Sequence, residues 1–452
     1  MTQTWIGVLE LTSKYRYGIT SRGSPMYLFK PYFKDLPDLI VGSSIRDLTC
    51  NLIVSVIPID ANHLGRGHLV ETFGPVGDFA AERKALLRFY CASNPSPTSE
   101  EVEVEVEVEE KRVPIDSLNG WIVFHIDPPG CRDIDDAIAY SPTTNTWAIT
   151  IADVDAAVPV GSHTDQRAAV IGATFYDLDG TVLVPMLESV NSALTPGIPK
   201  RGVSLLISEN EPKQFVLSTI TVEHSYTYET FPASSTAFDL DLSAKEPHKW
   251  IENRMIQYNR AAAALLKNCG RGILRVQKES GSGSDSINSI NSILGYEPAA
   301  SYELVTNETE KENQGSHSLG LYCHASSPLR RYADLVNQRI LKEIIRSYSS
   351  SSDQVSHRVI DIQHINERAK ANKRWTRDLT FLTHVVPGKI HTVDVIWITN
   401  EKVWVPAWKR AIKLRHTETV EHAGGSVGKI QVFCDPTKRN WRERVLTNAF
   451  FP

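Results

Sequence analysis

Short β-branched and aromatic runs fill the first ninety or so residues. WIGVLEL, MYLFKPYF and TCNLIVSVI are separated by the turn-forming SRGSP and KDLPD, and about five such strands predict a small barrel. FAAERKALLRFYCA then changes to helical spacing, with Phe79, Leu86, Leu87 and Tyr90 on one side. SNPSPTSEEVEVEVEVEEKR is dominated by Pro, Ser and Glu and reads as a solvated linker. Its alternating valines leave an exposed edge strand as the competing reading. From Trp121 the texture is mixed α/β. WAITIADVDAAV predicts a buried strand, and HKWIENRMIQYNRAAAALLKN predicts a helix along Trp250, Ile251, Met255, Tyr258 and Ala262. ESGSGSDSINSINSI is low in complexity and reads as a flexible loop. Two strongly helical blocks follow, Ser327 to Arg346 and Asp361 to Thr383, the first with Leu329, Ala333, Val336, Ile340 and Ile344 as one buried stripe. HTVDVIWI, KVWVPAW and GKIQVFC return to short strands and predict a second small barrel. The expected fold is multidomain α+β: a barrel over 1–93, an acidic linker over 94–115, a mixed α/β domain over 116–383 and a closing barrel over 384–452.

Composition narrows this picture. At 452 residues the chain can hold several domains and a large core. No run of eighteen apolar residues appears, so no membrane span is expected. The N-terminus lacks a signal-peptide pattern, which predicts an intracellular protein. The six cysteines are scattered without a CxxC pair and are expected to be free, mostly buried thiols. Net charge is −5, and the acidic segment from Glu100 to Arg112 carries −5 by itself. The remainder is formally neutral, so it can hold a polyanion only along a local basic path.

The stretch HIDPPGCRDIDDAI places Asp127, Asp133, Asp135 and Asp136 within ten residues, directly after the apolar WIVF. Carboxylates that close repel one another unless something positive sits among them. Mg²⁺ or Mn²⁺ suits an all-oxygen ligand set. Two such ions about 4 Å apart activate water and stabilise the leaving oxygen of a phosphodiester. An EF-hand starting at Asp133 fails, because Ile138 and Thr144 stand where Gly and Glu are needed. Acidic turn residues that bond their own backbone are the plainer alternative.

HASSPLRRYADLVNQRILKEIIR is the second informative stretch. Ser327 suits an N-cap and Pro328 the first helical position. That puts Arg330 and Arg331 in the first turn, with Asp334 one turn beyond Arg330. Cations there oppose the helix dipole, and a phosphate would offset them. A pair of surface arginines is the bland reading.

Together the two stretches resemble the RNB (ribonuclease II) family of 3′→5′ exoribonucleases. IDPPGCRDIDDA is similar to its acidic motif and SSPLRRYADLV to its arginine motif. GRGHLVETFGPVGDFAAE, the IADVDAAV segment and WIENRMIQYNRAAAALL carry the likeness from about Gly65 to Thr383, nearest to the eukaryotic exosome catalytic subunit. The resemblance implies a central RNB catalytic domain flanked by OB-fold barrels, cold-shock-like before it and RNA-binding after it. It implies that Asp127, Asp133, Asp135 and Asp136 bind Mg²⁺ or Mn²⁺, with Asp135, Asp136 and Arg330 catalytic. Tyr176 is implied as a base-stacking ring, and Arg330, Arg331 and Glu252 as RNA contacts. The implied activity is hydrolysis of single-stranded RNA to nucleoside 5′-monophosphates, with an exosome-like or other RNA-decay complex as partner and no membrane.

Departures from the family pattern are Ala156 in place of a histidine, Asn253 in place of a second glutamate and Thr376 in place of an acidic residue. Only one N-terminal barrel is visible. Two other readings stand beside the nuclease: an idle RNB relative that only binds RNA, and a phosphohydrolase of small phosphoesters. His125 shares a strand face with Asp127 but is assigned to packing, since Mg²⁺ favours oxygen. His317 and His324 are likewise not expected to bind metal. Tyr322 and Tyr332 divide between RNA contact and core. Trp375, with RAKANKRW, is assigned to a solvated helix face, and Trp404 and Trp408 to barrel packing.

Overall fold

The computed structural model describes residues 4–32, 35–59, 64–91, 110–188, 191–209, 211–231, 247–277, 300–306, 320–347, 360–385, 388, 390–408, 410–414, 424–435 and 445–447. The ESGSGSDSINSINSI segment, His317 and most of the acidic segment lie outside the described residues.

Five strands form the closed N-terminal barrel: β1 (Trp5–Leu9), β2 (Met26–Pro31), β3 (Leu39–Gly42), β4 (Leu52–Pro58) and β5 (Gly65–Pro75). Leu9, Phe29, Leu39, Val54 and Val56 fill its interior. Helix α1 (Phe79–Tyr90) opens with Asp78 accepting a hydrogen bond from the Ala81 amide. Its Leu86 and Tyr90 are buried, whereas Phe79, expected on the same side, is exposed.

The central sheet draws on β6 (Val113–Ile115), β7 (Ile122–Ile126), β8 (Asp136–Ser141), β9 (Thr146–Ala152), β12 (Lys200–Ser208), β13 (Gln214–Ile220) and β14 (His224–Tyr226), in the order β14-β7-β8-β9-β12-β13-β6. The hairpin β10 (Phe175–Tyr176) and β11 (Val182–Val184) stands apart, as does the pair β15 (Ile273–Gln277) and β16 (Ala300–Leu304). Strand period two sorts side chains by size. Phe124, Ile138, Ile149 and Ile151 face one core, while Val123, Ala137, Ala139, Ala148 and Ala152 face another. Helices α3 (Pro247–Cys269) and α4 (Tyr332–Ser347) cover the large-residue face, through Trp250, Ile251, Tyr258, Ile340 and Ile344. Short helix α2 (His163–Ile171) and long helix α5 (Ile362–His384) complete the domain.

Residues 113–115, expected inside the linker, are a strand of this sheet, paired parallel with β13. Glu110 anchors its entrance by ion pairs to Arg112 and Arg346. At the other end, β17 (Ile390–Thr399), β18 (Lys402–Val405), β19 (Arg410–Lys413), β20 (Val427–Cys434) and β21 (Val445–Thr447) form a sheet ordered β19-β18-β17-β20-β21. Among the described residues it does not close, so the second barrel expected there is an open five-stranded sheet. Trp408 packs in its core, as its sequence context suggests. All six cysteines are free, but only Cys91, Cys323 and Cys434 are buried.

Buried ion pairs lock α4 to the end of β9. Lys342 reaches Asp153 at 2.7 Å and Asp155 at 3.1 Å, Arg112 reaches Asp153 at 2.6 Å, and Arg339 reaches Asp155 and Asp165. A second pin joins three elements: the Tyr90 hydroxyl on α1 and Arg410 on β19 both donate to Asp378 on α5, which is wholly buried.

Candidate active site

The acidic stretch is built on neighbouring strands. β7 ends at Ile126, and the Asp127 amide continues the pairing by donating to the Tyr226 carbonyl at 3.1 Å. Pro128 and Pro129 preclude strand hydrogen bonds, and Gly130 takes a positive φ of 76° as the chain turns back. Ile134 is buried beneath the loop, and its carbonyl accepts from the Leu194 amide at 3.0 Å. Asp136 opens β8.

Each of three carboxylates is oriented by a named partner. Asp127 Oδ2 lies 2.8 Å from His125 Nδ1. Asp133 Oδ2 accepts from the Tyr176 hydroxyl at 2.9 Å. Asp135 Oδ1 accepts from the Leu329 amide at 2.8 Å. That last bond ties the acidic loop directly to the arginine stretch. Asp135 is 3% exposed, and its Oδ2 has no hydrogen-bond partner while standing 3.4 Å from Arg330 Nε. The Arg330 side chain is 46% exposed, so it bridges the buried carboxylate and solvent. Tyr176 is half-buried, and Trp375 fixes its backbone by donating to its carbonyl at 2.7 Å.

The electrostatics follow from burial. Burial pushes Asp135 up to about 8, against the attraction of Arg330 and the Leu329 hydrogen bond. Burial and then Asp127 push Asp136 up to about 7. Burial and Asp133 raise Tyr176, so its phenol stays protonated and donates. Cys131 is pushed up to about 12 by burial and by Asp127, which keeps the thiol protonated inside the loop.

The arginine stretch differs from its expected form. Helix α4 begins at Tyr332, and Pro328–Arg330 form a turn. Extended pairing holds the turn out of the helix: the Thr174 amide donates to the Arg330 carbonyl, the Tyr332 amide donates to the Gly172 carbonyl, and Ala173 bridges Arg331. Arg330 is therefore not a first-turn residue, and no helix dipole acts on it as expected. Gly172 has φ of 78°, and a Cβ there would meet Arg368 of α5 at 2.3 Å, so the position favours glycine. Arg331, expected on RNA, is turned to Asp334 by two hydrogen bonds of 2.9 Å. Asp334 thus pairs with Arg331 rather than with Arg330, and it also accepts from the Ser327 amide.

Glu252 is exposed on α3, with no hydrogen bond or ion pair among the described residues. The structure brings Asp127, Asp133, Asp135, Asp136, Tyr176 and Arg330 together, and leaves Arg331 and Glu252 out of that group. Several supporting residues escaped the sequence reading. Asn259, buried on α3, donates to Tyr322 Oη at 2.9 Å and Ser326 Oγ at 3.0 Å, and accepts from the Ala325 amide at 2.9 Å. Tyr322 is therefore core, and Tyr332 is bonded to Asp165. Trp375 is wholly buried, not on a solvated face. The phenol of Tyr228 is raised by burial and then by the charges of Asp127 and Asp136. Only His125 carried a signal, two residues before Asp127 on one strand face.

The residues suit a hard cation in their chemistry: four carboxylates, all oxygen, one with a buried unpartnered oxygen. No group of three or more His, Cys, Asp or Glu among the described residues is gathered closely enough to hold an ion. The fit is therefore one of ligand type and charge.

Comparison with known proteins bears on the family and the fold. A family model described as "RNB domain" matches residues 115–236 and 238–347. The exosome complex exonuclease RRP44 of Mus musculus is 26% identical over 247 residues, covering 49% of this chain and 26% of that protein. The exosome complex exonuclease dis3 of Schizosaccharomyces pombe is 29% identical over 183 residues, covering 36% of this chain and 19% of that one. The chain thus matches about a quarter or less of these relatives' length. Apo Mycoplasma genitalium RNase R superposes with a TM-score of 0.72 at 15% identity, covering 98% of this chain and 89% of that chain. Yeast Ssd1, described as a pseudonuclease, superposes at 0.66 with 16% identity, covering 97% of this chain and 67% of that chain.

Proposed function

The chain belongs to the RNB domain family, and from that premise we propose a metal-dependent hydrolase that removes nucleoside 5′-monophosphates from the 3′ end of single-stranded RNA. One observation carries the reading: Asp135 is buried with an unpartnered oxygen 3.4 Å from Arg330 Nε, and its other oxygen is tied to the arginine turn. The shared fold alone does not decide activity, since it also serves a protein described as a pseudonuclease.

Asp127, Asp133, Asp135 and Asp136 would hold Mg²⁺, or Mn²⁺ in its place. Bound there, the metal lowers the pKa of the attacking water and offsets charge on the phosphorus oxygens. Arg330 presents its exposed guanidinium to the scissile phosphate, where charge grows in the transition state. Its Nε stays against Asp135, which fixes the angle of the fork. Tyr176 holds Asp133 through its hydroxyl and offers its ring to the terminal base, a contact worth about 1–3 kcal/mol and indifferent to sequence. Selection of RNA over DNA falls to contacts with the 2′-hydroxyl. Intracellular location and association with an exosome-like or other RNA-decay complex belong to the same proposal. Among the described residues no helix is long and apolar enough to cross a membrane.

The test uses 5′-labelled single-stranded RNA with Mg²⁺, comparing the unaltered chain with Asp135→Asn and Arg330→Ala. A shrinking ladder with mononucleotide release, lost in both variants, supports the reading. Intact RNA that is nevertheless bound by the unaltered chain overturns it in favour of an idle RNA-binding relative.

A further inference from the structure

His125 is a buried base placed beside a carboxylate, on a strand that would otherwise carry an apolar residue there. It is 4% exposed, and its Nδ1 lies 2.8 Å from Asp127 Oδ2. Its Nε2 is buried and has no hydrogen-bond partner. An ionised carboxylate only accepts hydrogen bonds, so this contact requires the proton on Nδ1. The backbone of the same aspartate is held by the Tyr226 carbonyl on β14. The Cys131 thiol also hydrogen-bonds this carboxylate, so His125 and Cys131 share the side chain of Asp127 while Tyr226 holds its main chain. The unpartnered Nε2 carries the desolvation cost of a buried polar group with nothing in return. A phenyl ring or an aliphatic side chain would fill the space without that cost, so packing does not explain an imidazole at this position.

We propose that His125 is the positioning residue of Asp127: it clamps Oδ2 through Nδ1–H and sets the rotation at which the carboxylate would meet a divalent cation. This rests on the metal-holding role proposed above. The arrangement inverts the common one in which a carboxylate orients a metal-bound histidine, but the physical effect is the same. A ligand held in its bound rotation before the ion arrives loses less freedom when the ion is bound. Removal of such outer partners commonly weakens metal binding by about 10–100-fold.

The test is Mn²⁺ binding to the full chain, followed by the electron paramagnetic resonance of free Mn²⁺, without RNA. Three substitutions at the position are compared: His125→Ala, His125→Asn and His125→Gln. An asparagine amide nitrogen falls close to where Nδ1 stands, whereas glutamine carries its amide nearer to the position of Nε2. The expected result is a loss of about 10–100-fold for alanine, restored within a few-fold by asparagine and not by glutamine. Thermal midpoints taken alongside show whether asparagine and glutamine are equally folded. Equal Mn²⁺ affinity in all three variants, with Asp135→Asn still abolishing binding, overturns the role of His125 and leaves the metal site standing. An unaltered chain that binds no Mn²⁺ overturns both together. Asparagine and glutamine weakened alike also overturns the proposal, because the site then responds to bulk and not to the placed N–H.

Discussion

Asn259 gives the sharpest test of how the arginine turn is held. Replacing it with leucine keeps the side-chain volume close and removes three hydrogen bonds: to Tyr322 Oη, to Ser326 Oγ and from the Ala325 amide. All three lie in the buried segment that leads to Arg330. At about 1 kcal/mol each, the bonds sum to about 3 kcal/mol. The Ala325 amide left without an acceptor offsets whatever leucine gains by burial. Since 1.4 kcal/mol is tenfold, amide exchange from peptides spanning 320–331 should quicken by about 100-fold, if local opening governs it. RNA hydrolysis should fall by about tenfold or more, because an arginine displaced by about 1 Å is a large loss to a positioned site. Peptides from the N-terminal barrel should exchange as before. Exchange in 320–331 that changes less than threefold would refute the reasoning, and would mean that the Asp334 and Arg331 pairs hold the turn unaided.

Lys342→Met leaves Asp153 with Arg112 as its remaining ion partner and strips Asp155 of one of two; urea unfolding of the central domain should show a loss of about 3–5 kcal/mol. Tyr90→Phe removes a hydroxyl from the buried Asp378, and should destabilise the contact between α1 and α5 by about 1.5–3 kcal/mol, read as faster exchange in both helices. His324 is partly buried, its Nδ1 lies 2.7 Å from Tyr302 Oη, and desolvation, with Arg331 and Arg275 nearby, holds it well below its ordinary value. Its folded pKa is lowered, so its contribution is complete above the unfolded pKa of about 6.5 and is lost as pH falls below it. Between pH 6.5 and 5.5 the unaltered chain should lose up to about 1 kcal/mol more stability than His324→Gln, and equal slopes in the two proteins would contradict this. Chelation with EDTA should stop RNA hydrolysis and leave RNA binding, with Mg²⁺ restoring activity; hydrolysis that persists in EDTA removes the metal from the mechanism.

The grouping of the acidic stretch beside Arg330 was readable in the sequence. Four aspartates in ten residues have few structural uses, and an apolar strand before them fixed where the first would lie. The helices α3 and α5 were legible because their periodicity runs six turns without interruption. The start of α4 was not. Ser327 and Pro328 satisfy every local rule for a helix start, but Gly172, Ala173 and Thr174 supply backbone partners that draw Arg330 and Arg331 into an extended bridge. That partner is nearly 160 residues away in sequence, where no window reaches it. Arg331 and Asp334 were misassigned for the same reason, since a changed helix start rotates which arginine meets the aspartate. Trp375 looked solvated within a basic run, yet the site it fills is made by Tyr176 and the end of α1. Strand β6 was hidden by its position beside the acidic segment, and only its pairing with β13 reveals it.

The hydrogen bond from the Leu329 amide to Asp135 joins residues 194 positions apart. During synthesis at about 5–20 residues per second, the acidic loop leaves the ribosome roughly 10–40 seconds before the turn that completes it. Through that interval the chain carries the carboxylates without their arginine. On the proposed function, hydrolytic capacity would then switch on late, once α4 has docked, and a nascent chain beside its own message would stay harmless until nearly the whole RNB domain had emerged.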